Sequence, residues 1–190
     1  MNTVHTAALC QRFGGSLGAL CGIVALGLSN GAAAVEAHTV DSVKAAFIYR
    51  FAGYVEWARD PATSQTFTIA VMGSSEIASR LQSLTADRKL HNRPVRVRRI
   101  SGVLDAADAQ ILYIGPHHRT DLRNLLHAVR GRKLLVITDE EHGLDAGSSI
   151  NFLEVDQQVR FEVSIEAARR AGLSVSSELL SVATRVQDGQ

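Results

Sequence analysis

The chain has 190 residues, and its 20 lysines and arginines against 19 aspartates and glutamates leave a formal charge of +1 with histidine neutral. That balance excludes the bulk electrostatic attraction on which nucleic-acid and anionic-membrane binding depend, so no nucleic-acid partner is expected. The length fits one domain, or one domain with a targeting segment.

The first forty residues favour the second option. They hold Arg12 as their only lysine or arginine, an apolar and small-residue run from Leu17 to Leu28, and then Ala32, Ala33, Ala34 and Ala37. Cationic, then apolar, then small is the order of a secretory signal peptide. A helix of about twelve residues covers ~18 Å against a hydrocarbon core of ~30 Å, too short for a comfortable span. Cleavage after Ala34 or Ala37 fits the small-residue rule, and Ala37 is preferred because a polar terminus then follows. The expectation is a removed signal peptide over 1–37 and a single exported domain over 38–190. Cys21 follows the bulky Leu20, which argues against lipid attachment there. Both cysteines, Cys10 and Cys21, precede residue 38, so the predicted domain has no disulfide or thiolate chemistry.

Val43, Phe47, Phe51, Val55 and Ala58 recur at helical spacing, predicting a helix capped by Asp41 and ended at Asp60-Pro61. Residues 67–73 read as a strand and Ile77, Leu81 and Leu84 as the helix after it. Residues 95–100, 110–115 and 133–139 are further strands, with a helix carrying Leu122, Leu125, Leu126 and Val129 before the last. Near-continuous apolar strands alternating with helices predict an α/β fold: a three-layer, largely parallel mixed sheet with helices on both faces. Residues 140–149 read as a loop. Residues 150–155 and 159–163, joined by Asp156-Gln157-Gln158, predict a C-terminal β-hairpin. A helix over 165–171 and a terminal helix from Ser176 to near Val186 complete the chain.

Open α/β sheets bind ligands at the carboxyl ends of their strands, which here carry Gly73-Ser74-Ser75, Gly115-Pro116-His117-His118 and Thr138-Asp139. Gly73-Ser74-Ser75 lacks the spaced glycines of a phosphate or dinucleotide loop, and ordinary helix capping is the favoured reading over ligand binding there. His117, His118 and His142 lie near Asp139, Glu140 and Glu141 without diagnostic metal spacing. No G-x-S-x-G nucleophile elbow is present. The reading is a non-enzyme with no catalytic residues, cofactor or metal. Glu56 and Trp57 stand out because Trp57 is the only tryptophan; it serves either as a core aromatic or as an interface anchor. Arg160 and Glu162 alternate with Val159, Phe161 and Val163, as on a strand with one polar face, where cross-strand pairing accounts for both charges. The basic run Arg93, Arg96, Arg98 and Arg99 alternates with valines and reads as a solvated strand face.

Read together, these segments resemble the YfiR family. The resemblance runs through Val43-Lys44-Ala45-Ala46-Phe47-Ile48-Tyr49-Arg50-Phe51, Tyr54-Val55-Glu56-Trp57, Ile111-Leu112-Tyr113-Ile114 and Gly147-Ser148-Ser149-Ile150-Asn151-Phe152. It is strongest from Val159-Arg160-Phe161-Glu162-Val163 through Ala167-Ala168-Arg169-Arg170-Ala171-Gly172-Leu173 to Ser176-Ser177-Glu178-Leu179-Leu180. It implies a periplasmic regulator that represses an inner-membrane diguanylate cyclase through the cyclase's periplasmic part, lowering cyclic di-GMP signalling and biofilm formation. It further implies an outer-membrane lipoprotein that relieves the repression, and a homodimer. Glu56, Trp57, Arg160, Glu162, Ser176 and Ser177 are the motif positions offered as interaction candidates. The alternative from another class is a periplasmic small-molecule receptor with no cyclase partner.

Overall fold

A strand whose side chains are apolar in both directions needs cover on both faces, and residues 67–72, 111–114 and 135–138 are buried at every position. The computed structural model describes residues 31–58, 65–116 and 121–189. In chain order these form α1 (Gly31–Phe51), β1 (Val55–Trp57), β2 (Phe67–Met72), α2 (Ser75–Thr85), β3 (Lys89–Leu90) and β4 (Arg93–Arg99). A 3-10 turn (Val103–Ala106), β5 (Ile111–Ile114), α3 (Leu122–Ala128), β6 (Leu135–Thr138) and α4 (Gly143–Ala146) follow. The chain continues through β7 (Ile150–Val155), β8 (Gln158–Ser164), α5 (Ile165–Arg170), β9 (Leu173–Val175), α6 (Ser177–Ser181) and β10 (Arg185–Gln187).

The main sheet has the order β10-β8-β7-β6-β5-β2-β4-β3. Strands β4, β2, β5, β6 and β7 are mutually parallel, β7–β8 and β3–β4 are antiparallel, and β10 runs parallel to β8. This is the expected mixed sheet. One face carries Ile69, Val71, Ile111, Tyr113, Ile137 and Phe152 against α1, α2 and α6; the other carries Ala70, Met72, Leu112, Ile114 and Val136 against α3 and the 3-10 turn. Alternation along each strand thus feeds two cores and makes three layers.

Helix α1 is clamped by aromatic rings. Phe51 stacks edge-on to Phe161 at 4.9 Å and lies 5.9 Å from Phe152, while Phe47 lies 5.6 Å from Phe161. The helix therefore sits over the β7–β8 hairpin, whose two-residue turn places Asp156 and Gln157 at φ of 51° and 60°, the left-handed pair of a type I′ turn. Gln158 belongs to β8, not to the connector. His91 and Asn92, at φ of 48° and 62°, make the same turn between β3 and β4.

Other expectations are corrected as well. The first helix stops at Phe51 rather than near Ala58, because Gly53 and Tyr54 turn the chain back onto Arg50 and Phe51 carbonyls and Val55 enters the same core from a strand. Asp41 lies inside α1 and does not cap it. The terminal helix stops at Ser181, after which Thr184 N bonds Phe161 O at 2.8 Å and docks β10 on the edge of β8. The 140–149 loop contains the single turn α4. The proposed leader falls mainly outside the described residues, its last seven beginning α1. Among the described residues no helix is long and apolar enough to cross a membrane.

Candidate functional site

At the carboxyl edge of the sheet the chain leaves β2 and β5 on either side of the point where strand order reverses, the usual place for a crevice. Here the crevice is lined by backbone. Gly73 has φ 81°, and a Cβ on Gly115 would stand 3.1 Å from the Gly73 carbonyl. Gly115 N donates to Met72 O at 2.8 Å, tying the two turns together. Ser74 is the N-cap of α2, its Oγ accepting from Ile77 N at 3.1 Å, so capping accounts for its side chain.

Over this edge α1 and α2 bring a knot of charge. Lys44 Nζ lies 2.6 Å from Asp139 Oδ2, both side chains nearly buried, and Tyr113 Oη donates to the same oxygen at 3.1 Å. Burial, and then the Asp139 carboxylate, push the Tyr113 phenol far above its ordinary range. That tyrosine is held as a hydrogen-bond donor to Asp139. Asp41, one turn before Lys44, is also held above its ordinary value. Burial is the main cause, Glu76 and Asp139 add to it, and Lys44 and Arg80 oppose it.

A second polar network runs across β6, β7, β8 and β10. The Thr138 hydroxyl donates to Asn151 Oδ1 at 2.7 Å and lies 2.9 Å from Ser148 Oγ; Glu140 N also donates to Asn151 Oδ1, at 3.3 Å. Asn151 Nδ2 donates to Glu162 Oε1 at 3.0 Å, and Arg185 Nε to Glu162 Oε2 at 2.7 Å. Glu162 is 4% exposed. Its bonding and attraction push the Arg185 guanidinium above its ordinary value. Gly143 permits this packing, since a Cβ there would collide with Thr138 Oγ1 and Asn151 Oδ1. Glu162 is thus committed to Asn151 and Arg185, while Arg160 is exposed and bonds Gln158 at 2.6 Å. Cross-strand partners explain Glu162, and a neighbour on its own strand explains Arg160.

The other four motif positions meet at one end of the molecule. Strand β1 pairs antiparallel with β9, setting Glu56 opposite Ser174 and Trp57 opposite Leu173. Ser176 N bonds Tyr54 O at 2.9 Å, and Ala58 N bonds Gly172 O at 3.0 Å. Ser176 caps α6 by accepting from Leu179 N at 3.3 Å. The Glu178 carboxyl is held below its ordinary value by its own amide and by the Ser176 hydroxyl. Trp57 is half-buried, edge-on to Phe67 at 5.4 Å and to His91 at 5.4 Å, and its buried Nε1 has no hydrogen-bond partner among the described residues. Glu56, Ser177 and Tyr54 are exposed. This end thus carries Trp57 with the exposed Tyr54, Glu56, Ser177 and Glu178, while the Ser176 hydroxyl is taken up by its cap and by Glu178.

His117 and His118 lie outside the described residues. His142 is exposed, 3.3 Å from Asp145 and 3.7 Å from Glu141, and among the described residues no cluster of three or more metal-ligating side chains forms. On β4, Val95 and Val97 pack on the core, Arg98 pairs with Asp108, and Arg96 and Arg99 are exposed. Lys44, Tyr113, Asn151 and Arg185 were not singled out by sequence reasoning. The signal for Lys44 was weak but present: a lysine amid apolar positions of an amphipathic helix needs a carboxylate, and Asp139 ends a buried strand.

A model of the YfiR/HmsC-like family matches residues 41–184. Among solved structures, the chain is similar to an ABC domain in complex with L-Trp from Streptococcus pneumonia, with TM-score 0.51 and 10% identity over 77% of this chain and 60% of that one. It is similar also to a conserved domain protein from Vibrio cholerae O1 biovar El Tor strain N16961, with TM-score 0.51 and 11% identity over 77% of this chain and 60% of that one. At such identities the likeness is one of fold, and the chain spans about 60% of the length of each of these two structures.

Proposed function

Since the chain belongs to the YfiR/HmsC-like family, we propose that it is a periplasmic regulator that represses an inner-membrane diguanylate cyclase, lowering cyclic di-GMP and with it biofilm formation. The observation that carries this reading is the gathering of Glu56, Trp57, Ser176 and Ser177 at one end by the β1–β9 pairing. A repressor of this kind needs a surface rather than catalytic residues. The nearly buried Lys44 and Asp139 are engaged with each other, and the buried Glu162 is engaged with the exposed Arg185.

A periplasmic protein does not meet cyclic di-GMP in the cytoplasm. It acts by binding one conformation of the cyclase's periplasmic part more tightly than another, because a ligand with equal affinity for both shifts nothing. An outer-membrane lipoprotein that binds the same regulator relieves repression by competing for it. The regulator acts as a homodimer, after removal of residues 1–37.

Deleting the gene is expected to raise cellular cyclic di-GMP, and the wild-type gene to restore it. The exposed substitution Glu56→Arg is expected to fail in restoration while leaving the melting temperature within about a degree, as surface changes usually do. Unchanged cyclic di-GMP in the deletion strain across growth conditions contradicts the reading.

A further inference from the structure

Away from the β1–β9 end, α3 and the turn after it present two arginines with a histidine between them. Arg123, His127 and Arg130 follow one another at i, i+4 and i+7, so they share one face of the helix and the turn that ends it. That face borders an open hollow of about 400 Å³, closed on its other side by Arg170 of α5, Gln187 of β10 and the α4 turn.

The hollow has an excess of positive charge that the protein does not cancel. Of its two carboxylates, Glu166 pairs with Arg170, while Asp145 lies 3.3 Å from the exposed His142 and keeps its negative charge wherever that histidine is neutral. Among the described residues Arg123 and Arg130 have no carboxylate partner, and with Glu166 offsetting Arg170 and Asp145 keeping its charge, the hollow holds a net charge of +1. A narrower cleft adjoins it, sharing Arg130 and Arg170, and is lined by Arg132 with Leu126 and Val136. One guanidinium nitrogen of Arg132, Nη1, is buried with no hydrogen-bond partner among the described residues. A buried donor without an acceptor is costly and uncommon. Gln187 Oε1 is likewise buried without a partner, and rotating that amide presents its N–H₂ instead.

We propose that this hollow is an anion site for a phosphate group, free or carried on a lipid headgroup. Guanidinium forks match the oxygens of phosphate in pairs, and the three oxygens of a phosphate monoester can take both Arg123 and Arg130, which a single carboxylate does less well.

The test titrates the purified chain with sodium phosphate at ionic strength held constant with chloride, following the melting temperature. A parallel arm measures flotation with vesicles of phosphatidic acid in phosphatidylcholine against phosphatidylcholine alone. Both arms are repeated with Arg123→Gln/Arg130→Gln and, as a control for net charge, with Arg96→Gln/Arg99→Gln on β4. Variants are first shown to melt as the parent does in chloride; should the double variant not, Arg123→Gln alone is used. A saturable rise of about 5 °C at a hundredfold excess over Kd, lost only in the α3 variant, supports a free phosphate ligand. Flotation on phosphatidic acid without a response to free phosphate, again lost only in the α3 variant, supports a lipid headgroup. No response in either arm, or one that the α3 variant shares with the parent, overturns the proposal.

Discussion

Asp41 and Asn151 show what single residues contribute at the two polar knots. The Asp41 carboxyl is held above its ordinary 3.8, chiefly by burial, so the folded state favours its protonated form. Its contribution to stability is therefore present below pH 3.8 and lost as pH rises through the raised value. Asp41→Asn is expected to melt higher than the parent at pH 7, with the difference vanishing as pH falls below about 3.8; a constant difference across that range contradicts the assignment. Asn151 is the hinge of the other knot, joining Thr138, the Glu140 amide and Glu162. Asn151→Ala leaves a buried amide and a buried carboxylate oxygen without their partner, each costing about 1–3 kcal/mol. The expected loss in urea unfolding is about 3 kcal/mol, and a loss under about 1 kcal/mol means that the network is dispensable.

Among elements, α1 depends on its aromatic seat. Phe51 is buried against Phe152 and Phe161, and Phe51→Ala is expected to cost about 4 kcal/mol by the usual cavity arithmetic, read from the urea midpoint at unchanged slope. Elements with local signals were legible before the fold was seen. β2, β5 and β6 are continuous apolar runs, and the β7–β8 hairpin announces itself by a polar connector between alternating strands. β1 and β10 were not legible, because three-residue strands have no measurable period and their partners lie far along the chain. Val55 even mimicked another helical turn, falling four residues after Phe51. The candidate surface was legible only as scattered residues: Glu56 and Trp57 carried a signal, as did Ser176 and Ser177, but nothing local says that β1 meets β9. Nor does local pattern pair Lys44 with Asp139, 95 positions away.

At the scale of the whole molecule, two polar knots fix α1 and β10 to the sheet, while the β1–β9 end carries the exposed side chains proposed to meet a partner. That division suits a regulator whose work is done by a rigid surface that discriminates between two states of another protein. The most direct test tags the mature chain, recovers it from solubilised membranes of its own host and identifies by mass spectrometry what accompanies it, alongside the Glu56→Arg variant. The account predicts a membrane diguanylate cyclase with a periplasmic segment, recovered with the wild type and depleted at least tenfold with the variant. That is a difference of about 1.4 kcal/mol in binding. Repeated recovery of the folded wild-type chain with no cyclase would contradict it.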